Sequence, residues 1–281
     1  MMKLYDSVSL RCSKITTNRY STSFTLGIKS LAPRFHDPIY AIYGFVRFAD
    51  EIVDTFNRDD AAELLLEFKE DTYKAIQRGI SLNPILHSFQ LVVNKYTIEK
   101  ELIDTFLNSM EMDLSDIEYD QKAYEKYILG SAEVVGLMCL RVFCEGNESQ
   151  YQHLKIPAMR LGSAFQKINF LRDLKNDYHE LGRVYFPHLN MNEFDEENKK
   201  AIEKDISKDF ADGFQGIKQL PKGSRFGVYV AYVYYYALFK KIVALSPAKV
   251  LEERIRIPNS RKYSLILSSY VRHSLNLLKQ S

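Results

Sequence analysis

The helical spacing of apolar residues is the feature that most limits the folds open to this chain of 281 residues. In "AAELLLEFKEDTYKAIQ" (61–77) and "LIDTFLNSMEMDL" (102–114), apolar residues recur every three or four positions, and strict alternation over strand lengths is hard to find. All eight prolines fall where a helix could begin or end. The pattern therefore predicts an all-α protein of about ten helices.

No segment between these helices has the character of a domain linker. The connections "SLNP" (81–84) and "EGNES" (145–149) are short, and "NMNEFDEENKK" (190–200) reads as an acidic loop. Apolar residues make up 46% of the chain, which is enough to bury a large core. We expect residues 1–281 to form a single helical domain.

Charge and composition exclude several classes of function. Lys and Arg number 38 against 36 Asp and Glu, a formal net charge of +2 without a basic tail, so nucleic acid is not an expected partner. The three cysteines have no CxxC spacing, which disfavours a disulfide framework and structural zinc. Neither GxxxxGK nor GxGxxG occurs, so no nucleotide cofactor is expected.

The sequence also carries expectations about location. Residues 1–20 lack the apolar core of a signal peptide. The longest nearly apolar run, 226–239, is shorter than the roughly 18–20 residues that a membrane span needs. We therefore expect a cytoplasmic protein in which 226–239 is a buried helix.

Two apolar helical segments each carry a pair of aspartates four residues apart. "FVRFADEIVDTF" (45–56) contains Asp50 and Asp54, and "FQKINFLRDLKNDYHE" (165–180) contains Asp173 and Asp177. Residues four apart on an α-helix lie about 6 Å apart along its axis and project from one face. Other polar side chains share these faces or flank them: Tyr43 and Arg47 precede Asp50 at helical spacing, and Gln166, Asn169 and Arg172 accompany Asp173 in the second segment.

Four carboxylates in apolar helices call for cations, because a buried charge is costly unless it is neutralised. One explanation pairs each aspartate with an internal arginine, such as Asp50 with Arg47, or leaves the polar faces partly solvated. The other is a magnesium site, because Mg²⁺ prefers oxygen ligands and is commonly held by a few carboxylates together with substrate phosphates. The presence of two such segments in one chain favours the metal.

At these residues the sequence resembles the squalene and phytoene synthases, the head-to-head branch of the all-α trans-isoprenyl diphosphate synthases. "YSTSF" (20–24) resembles the early Ser-x-Ser-Phe of that family, and "YAIYGFVRFADEIVD" (40–54) and "AFQKINFLRDLKND" (164–177) resemble its two aspartate motifs. "YILGSAEVVGLM" (127–138) is similar to the helix between these motifs, and "GRVYFP" (182–187) follows the second. The resemblance departs at Glu133, where the family usually has glycine.

The resemblance implies a helical bundle of the isoprenoid synthase type with a central cavity, which binds two prenyl diphosphates. It assigns Mg²⁺, with Mn²⁺ as an alternative, to Asp50, Asp54, Asp173 and Asp177, with Asn169 as a further ligand. Diphosphate oxygens are assigned to a second set of residues: Ser21, Ser23, Arg47, Gln166, Arg172, Arg183 and Arg254. Tyr43 and Tyr127 would line the region where carbocations form, and most of the tyrosines at 232–236 are expected in the core, with Tyr235 or Tyr236 able to reach the pocket.

The family joins either two fifteen-carbon or two twenty-carbon chains, and pocket depth decides between them. Ile28 lies one helical turn beyond Phe24, with Gly27 beside it, and these small residues leave room for the longer chain. We therefore expect phytoene from geranylgeranyl diphosphate, unless Glu133 faces the pocket and narrows it. Alternatives are dehydrosqualene or squalene synthesis from farnesyl diphosphate, hydrolysis or cyclisation of one prenyl diphosphate, and an inactive prenyl-binding or scaffold protein. Peripheral membrane contact for product release remains an option, and the oligomeric state is left open.

Overall fold

The structure is a computed structural model. It describes residues 2–56, 59–115, 119–181, 183–187, 194–252, 254–275 and 277–278, without the side chains of 177–181, 259, 260 and 263.

Within these ranges the protein consists of helices and connecting turns, and no strand occurs, which confirms the all-α prediction. The α-helices are α1 (Met2–Tyr20), α2 (Thr22–Lys29), α3 (His36–Asp54), α4 (Ala61–Arg78), α5 (Pro84–Tyr96), α6 (Lys100–Asp113), α7 (Gln121–Ile128), α8 (Val134–Cys144), α9 (Glu148–Leu181), α10 (Glu196–Gln219), α11 (Lys222–Val243), α12 (Pro247–Glu252) and α13 (Asn259–Ser274). A 3₁₀ turn spans Pro33–Phe35, and a π-helical turn spans Leu129–Glu133. The expected number of about ten helices was too low. Short breaks, such as Ser21 between α1 and α2, divide segments that the sequence pattern suggests are single helices.

Two apolar clusters form the core. The first joins α3, α4, α5, α6 and α8, and in it the ring of Phe45 stacks on that of Phe89 with centroids 3.9 Å apart. The second joins α7, α9, α10 and α11. Of the tyrosine run predicted to lie in the core, it buries Tyr232 and Tyr235, and the half-buried Tyr234 and Tyr236 pack against it. Residues of both clusters line one cavity, so the cavity lies between the two halves of the bundle.

Pro157 corrects the sequence interpretation, because it lies inside α9 and not at a helix boundary. A proline within a helix removes one backbone hydrogen bond and normally costs about 3 kcal/mol or more. Tertiary packing holds the helix together here. The proline ring packs against Gly216 of α10, where an added Cβ would lie only 2.4 Å from Cβ of Pro157.

Residues 121–144 run continuously through α7, the π-helical turn and α8. This segment is long and apolar enough to cross a membrane by length and composition alone, but 67% of its most apolar window is buried inside the protein. Two glycines bring neighbouring helices against the π-helical turn. A Cβ on Gly130 would lie 2.6 Å from the carbonyl oxygen of Thr105 in α6, and one on Gly162 of α9 would lie 2.8 Å from that of Ala132. The expected burial of 226–239 is also confirmed, since much of this run faces the core as part of α11.

Candidate active site

A cavity of about 540 Å³ between the two halves of the bundle brings together the residues predicted from the sequence. Every predicted site residue whose side chain the structure describes lines it: Ser21, Ser23, Tyr43, Arg47, Asp50, Asp54, Tyr127, Gln166, Asn169, Arg172, Asp173, Arg183 and Arg254. Asp177 lies on α9, but its side chain is outside the described part of the chain. The cavity thus combines aspartates and arginines with an extensive apolar lining.

Helix α3 presents the first aspartate pair to this cavity because its two faces differ in polarity. Phe45, Ala49 and Ile52 are buried in the core, whereas Asp50 and Asp54 lie on the face that borders the cavity. Helix α3 packs mainly on α1 and α5, and α9 packs mainly on α10 and α8. The two aspartate helices therefore reach one cavity from different parts of the bundle, rather than packing extensively on each other.

Arg183 connects the first aspartate pair with the end of α6. Its Nη1 donates a hydrogen bond to Oδ1 of Asp54 at 2.8 Å, and its Nη2 donates to the backbone carbonyl of Asp113 at 2.7 Å. Nη1 also lies 3.6 Å from Oδ1 of Asp113. One guanidinium thus neutralises carboxylates from two helices.

Asp113 is a functional candidate that sequence reasoning missed. It is almost completely buried, and its carboxylate accepts hydrogen bonds from Tyr127 Oη at 2.6 Å and Tyr185 Oη at 3.1 Å. Burial raises its pKa to about 6, although Arg183 and the two tyrosines act in the opposite direction. A signal was present in the sequence, because Asp113 follows Phe106 and Met110 at helical spacings of seven and three on the buried face of α6.

Asp173 has two arginine partners. Nε of Arg172 donates to Oδ1 of Asp173 at 3.0 Å, and Nε of Arg254 lies 2.7 Å from the same oxygen. Arg254 comes from the segment after α12, so this contact ties the C-terminal part of the chain to α9. Asp54 and Asp173 are therefore each paired with arginine in this structure, as the first of the two explanations drawn from the sequence expects.

Asp50 is neutralised less well than Asp54 and Asp173. Its nearest arginine contact is 3.8 Å, to Nη1 of Arg47, and Arg47 also pairs with Glu51. Although 30% of the Asp50 side chain is exposed, burial raises its pKa to about 7, and the nearby Asp54 adds to that rise. A bound cation would compensate the charge of Asp50, which its distant arginine partner does only weakly.

Amide and aromatic side chains form the cavity wall beside Asp173. Asn169 donates to Oε1 of Gln166 and accepts from Tyr235 Oη, both at 3.3 Å. The ring of Tyr235 stacks on Phe165 with centroids 4.1 Å apart. Of the two tyrosines expected to reach the pocket, Tyr235 lines the cavity and Tyr236 is not among its lining residues.

The N-terminal half of α2 brings the serines to the cavity. Ser21 is the N-cap of α2, and its Oγ accepts a hydrogen bond from the backbone N–H of Phe24 at 3.2 Å. Phe24 packs on Tyr43, with ring centroids 4.7 Å apart. Ile28 follows Phe24 by one uninterrupted helical turn, and both Gly27 and Ile28 line the cavity.

Glu133 is not among the residues that line the cavity, so it does not narrow the pocket. It ends the π-helical turn and lies in the electrostatic environment of Arg160, Lys167 and Asp209, on the side of α9 and α10. Burial raises its pKa to about 7. Lys167 and Asp209 form a buried ion pair at 2.7 Å in this region.

The donor set fits a hard divalent cation held jointly with a ligand. In the described part of the chain, no group of three or more His, Cys, Asp or Glu side chains is arranged to hold a metal ion by itself. The carboxylates of Asp50, Asp54 and Asp173 nevertheless line one cavity with the amide of Asn169. Magnesium commonly binds through one or two carboxylates, water and substrate phosphates, so oxygen donors spread in this way are suited to it.

Comparison of the sequence with known proteins identifies its relatives. The profile of the family described as "Squalene/phytoene synthase" matches residues 17–261. Phytoene synthase 1 of Solanum lycopersicum is 26% identical over 256 residues, which cover 83% of this chain and 61% of that protein. Presqualene diphosphate synthase of Sinorhizobium fredii is 32% identical over 168 residues, which cover 59% of this chain and 58% of that protein. The matches therefore span less than two thirds of the length of these relatives.

Solved structures share the fold. A dehydrosqualene synthase determined in complex with a ligand superposes with a TM-score of 0.80 and 19% identity, covering 97% of this chain and 99% of that one. Squalene synthase HpnC from Alicyclobacillus acidocaldarius gives a TM-score of 0.74 and 16% identity, covering 85% and 95%. With the family profile matched over most of the chain and both aspartate segments at one cavity, the chain belongs to the squalene/phytoene synthase family.

Proposed function

We propose that this protein catalyses the head-to-head condensation of two prenyl diphosphates. The observation that carries the proposal is the meeting of Asp50, Asp54 and Asp173 with four arginines at a cavity whose remaining lining is largely apolar. Charged residues and apolar surface in one cavity suit an amphiphile with an anionic head and a hydrocarbon tail. An inactive scaffold is disfavoured, because a packing module gains nothing from so many partly buried charges.

Asp50, Asp54 and Asp173 would hold Mg²⁺, with Asn169 as a further oxygen donor and Asp177 as the remaining sequence-based candidate. When bound, the metal would supply positive charge that stabilises diphosphate as a leaving group. Asp50 is the strongest candidate ligand, because its carboxylate has a weaker arginine contact than Asp54 or Asp173.

The arginines would bind diphosphate oxygens by exchanging their carboxylate partners for phosphate. Arg183 and Arg254 already present guanidinium groups to the cavity, and a planar guanidinium binds phosphate through two parallel hydrogen bonds. The N-terminus of α2 borders the same region through Ser21 and Ser23, and a helix N-terminus favours anions. Positive groups would thus be in place before negative charge develops on the leaving group.

In the first step the C1–O bond of one substrate breaks, and its electron pair leaves with the diphosphate. The double bond of the second substrate attacks the allylic cation, a proton passes to the released diphosphate, and a cyclopropylcarbinyl diphosphate results. Its own C–O bond then breaks, the second diphosphate leaves, and the rearranged cation loses a proton to diphosphate, which gives the hydrocarbon without a reductant. Tyr43 and Tyr127 line the cavity and offer aromatic faces to the cations. Burial raises the pKa of both phenols well above 10, so both stay protonated and are poor nucleophiles.

We favour geranylgeranyl diphosphate as the substrate and phytoene as the product. Ile28 lines the cavity one helical turn beyond Phe24, where a large aromatic residue would shorten the apolar region. Glu133 does not oppose this choice, because it lies outside the cavity lining. Synthesis of dehydrosqualene or squalene from farnesyl diphosphate is the second candidate, supported by the 32% identity to a presqualene diphosphate synthase.

Product analysis tests both candidates. Purified protein is incubated with farnesyl or geranylgeranyl diphosphate and Mg²⁺, without a reductant, and the extracted products are identified by mass spectrometry. We expect a forty-carbon hydrocarbon from geranylgeranyl diphosphate and no product in the presence of a chelator. A thirty-carbon product as the main outcome would select the second candidate, and a prenyl alcohol alone would contradict condensation.

A further inference from the structure

Helix α1 has an inverted distribution of polar and apolar residues. The side chains that it buries are small and polar, namely Ser9, Ser13 and Thr17. Its exposed side chains include Leu4, Val8 and Ile15, of which Leu4 is 72% exposed. A helix that only packs on a protein core turns its apolar face inward, so the outward face of α1 is suited to a second apolar environment.

Helical geometry gathers the exposed aliphatic residues on one face. Leu4, Val8 and Ile15 are spaced by four and seven residues, which places them within about 40° of one another around the axis. The opposite face is fixed to the bundle, because Ser13 Oγ lies 2.6 Å from Ser88 Oγ of α5 in a buried hydrogen bond. Helix α1 therefore cannot rotate these residues inward without breaking its own packing.

Positive charge accompanies this apolar face. Helix α1 carries four exposed cationic residues, which are Lys3, Arg11, Lys14 and Arg19. Its single acidic residue, Asp6, is paired with Nε2 of His87 at 2.8 Å and is not on the outward face. Basic residues beside an apolar stripe are the pattern of a helix that lies in the interface of an anionic bilayer.

A neighbouring loop extends the same surface. Tyr5 Oη donates to the backbone carbonyl of Ser81 at 2.6 Å, which holds the 80–83 loop beside the N-terminal part of α1. Leu82 in this loop is 95% exposed, the highest exposure of any large apolar side chain in the described residues. Ile80 is 43% exposed. Exposed aliphatic side chains therefore occur both on α1 and on a loop that is hydrogen-bonded to it.

We propose that the outward face of α1, with Leu82, is a docking surface for an anionic lipid bilayer. Pairing two copies of this chain through the same face would bring two sets of four cations together without acidic partners, so charge favours lipid over self-association. The C-terminal end of α1 reaches the cavity, since Thr17 and Tyr20 line it. Docking would hold that cavity close to the bilayer.

Helix α13 is the competing surface. Its exposed apolar residues include Leu267, Tyr270 and Val271, and Leu267 is 68% exposed. Of its three arginine and lysine residues, Arg261, Lys262 and Arg272, only Arg261 is exposed, whereas all four on α1 are exposed. Helix α13 is therefore not part of the proposal, and the Leu267→Ser variant tests whether it binds lipid instead.

Vesicle flotation tests the proposal. Purified protein is mixed with vesicles of phosphatidylcholine alone, or with 30% phosphatidylglycerol, at low and high salt. We expect binding to the anionic vesicles that falls at high salt. The Val8→Ser/Ile15→Ser variant should bind at least ten-fold more weakly, although its charge is unchanged. Leu66→Ser, at an exposed position of α4, is the matched control and should bind like the wild type.

Several outcomes would overturn the proposal. These are a wild type that fails to float with anionic vesicles, a Val8→Ser/Ile15→Ser variant that binds normally, or binding that is lost in Leu267→Ser alone. A wild-type dimer in gel filtration that the α1 variant converts to a monomer would assign the face to self-association. Thermal melting of each variant checks that the fold persists. Because flotation needs no turnover, its result is independent of the proposed reaction.

Discussion

Nη1 of Arg183 lies 2.8 Å from Oδ1 of Asp54, although 129 positions separate the two residues in the sequence. The same guanidinium donates to the backbone carbonyl of Asp113 at 2.7 Å. It therefore joins α3, the end of α6 and the segment after α9 at the charged part of the cavity.

The Arg183→Lys variant tests this arrangement. Lysine keeps the charge but cannot bridge several acceptors with a planar fork, so we expect kcat/KM to fall by about 10- to 100-fold. Arg34→Lys is the matched control, because Arg34 forms an exposed ion pair with Glu145 away from the lining of the cavity. Steady-state kinetics with saturating Mg²⁺ provides the measurement, and equal activity of both variants would refute a role for the fork.

The aspartates are tested by Asp50→Asn and Asp173→Asn. Asparagine keeps the volume but removes a charge that magnesium binding requires, so turnover should fall by roughly 10²- to 10⁴-fold. The exposed Asp71→Asn on α4 is the control. Circular dichroism should show an intact fold, and near-normal turnover in both site variants would contradict the proposed role of these residues in metal binding.

The pH dependence of stability is expected to involve Glu133. Burial raises its pKa from 4.5 to about 7, so the folded protein binds more protons than the unfolded chain between these values. The free energy of unfolding should therefore fall as pH rises through this window. In the Glu133→Gln variant, the free energy of unfolding should fall by about 1–3 kcal/mol less over this pH range, because one pKa unit corresponds to about 1.4 kcal/mol. The exposed Glu67→Gln is the control.

Urea unfolding of the metal-free proteins at pH 5 and pH 8 measures this effect. If the free energy of unfolding fell equally in the wild type and in Glu133→Gln, another titrating group would be responsible for the pH dependence. Asp50 and Asp113 are the other candidates, because burial also raises the pKa of each.

Substrate length is tested at Ile28. Its side chain is 3% exposed and lines the cavity, so Ile28→Phe adds volume where the prenyl tail is proposed to lie. We expect the ratio of kcat/KM for farnesyl over geranylgeranyl diphosphate to rise at least ten-fold. Ile28→Val, which changes volume little, should leave this ratio nearly unchanged. An unchanged ratio in Ile28→Phe would place the length limit elsewhere.

Helical spacing in the sequence predicted the fold class, and the aspartate pairs pointed to two helices, α3 and α9, whose described aspartates line one cavity. This worked because a four-residue spacing fixes a common helix face whatever the tertiary structure. Pro157 was misread because the cost of an internal proline is offset by packing on Gly216, which is distant in sequence. Asp113 was missed because its partners, Tyr127 and Arg183, come from other elements and share no local spacing with it.

The direction of the Glu133 side chain was equally inaccessible from sequence. This direction depends on how far the helix has rotated about its axis at Glu133, and the π-helical turn that ends at Glu133 changes that rotation.

The π-helical turn Leu129–Glu133 changes the direction in which side chains project from one wall of the cavity. A π-helical turn holds about one residue more than an α-helical turn, so it offsets the rotation of α7 relative to α8. Deleting a single residue there would restore a regular helix and turn Tyr127 by about 100° relative to Cys139. Tyr127 would then leave Asp113, while Cys139 kept its place in the lining of the cavity. For protein engineering, a change in the length of this stretch is therefore expected to disturb the cavity wall, and Gly130 is the position within it where any larger side chain would clash with α6.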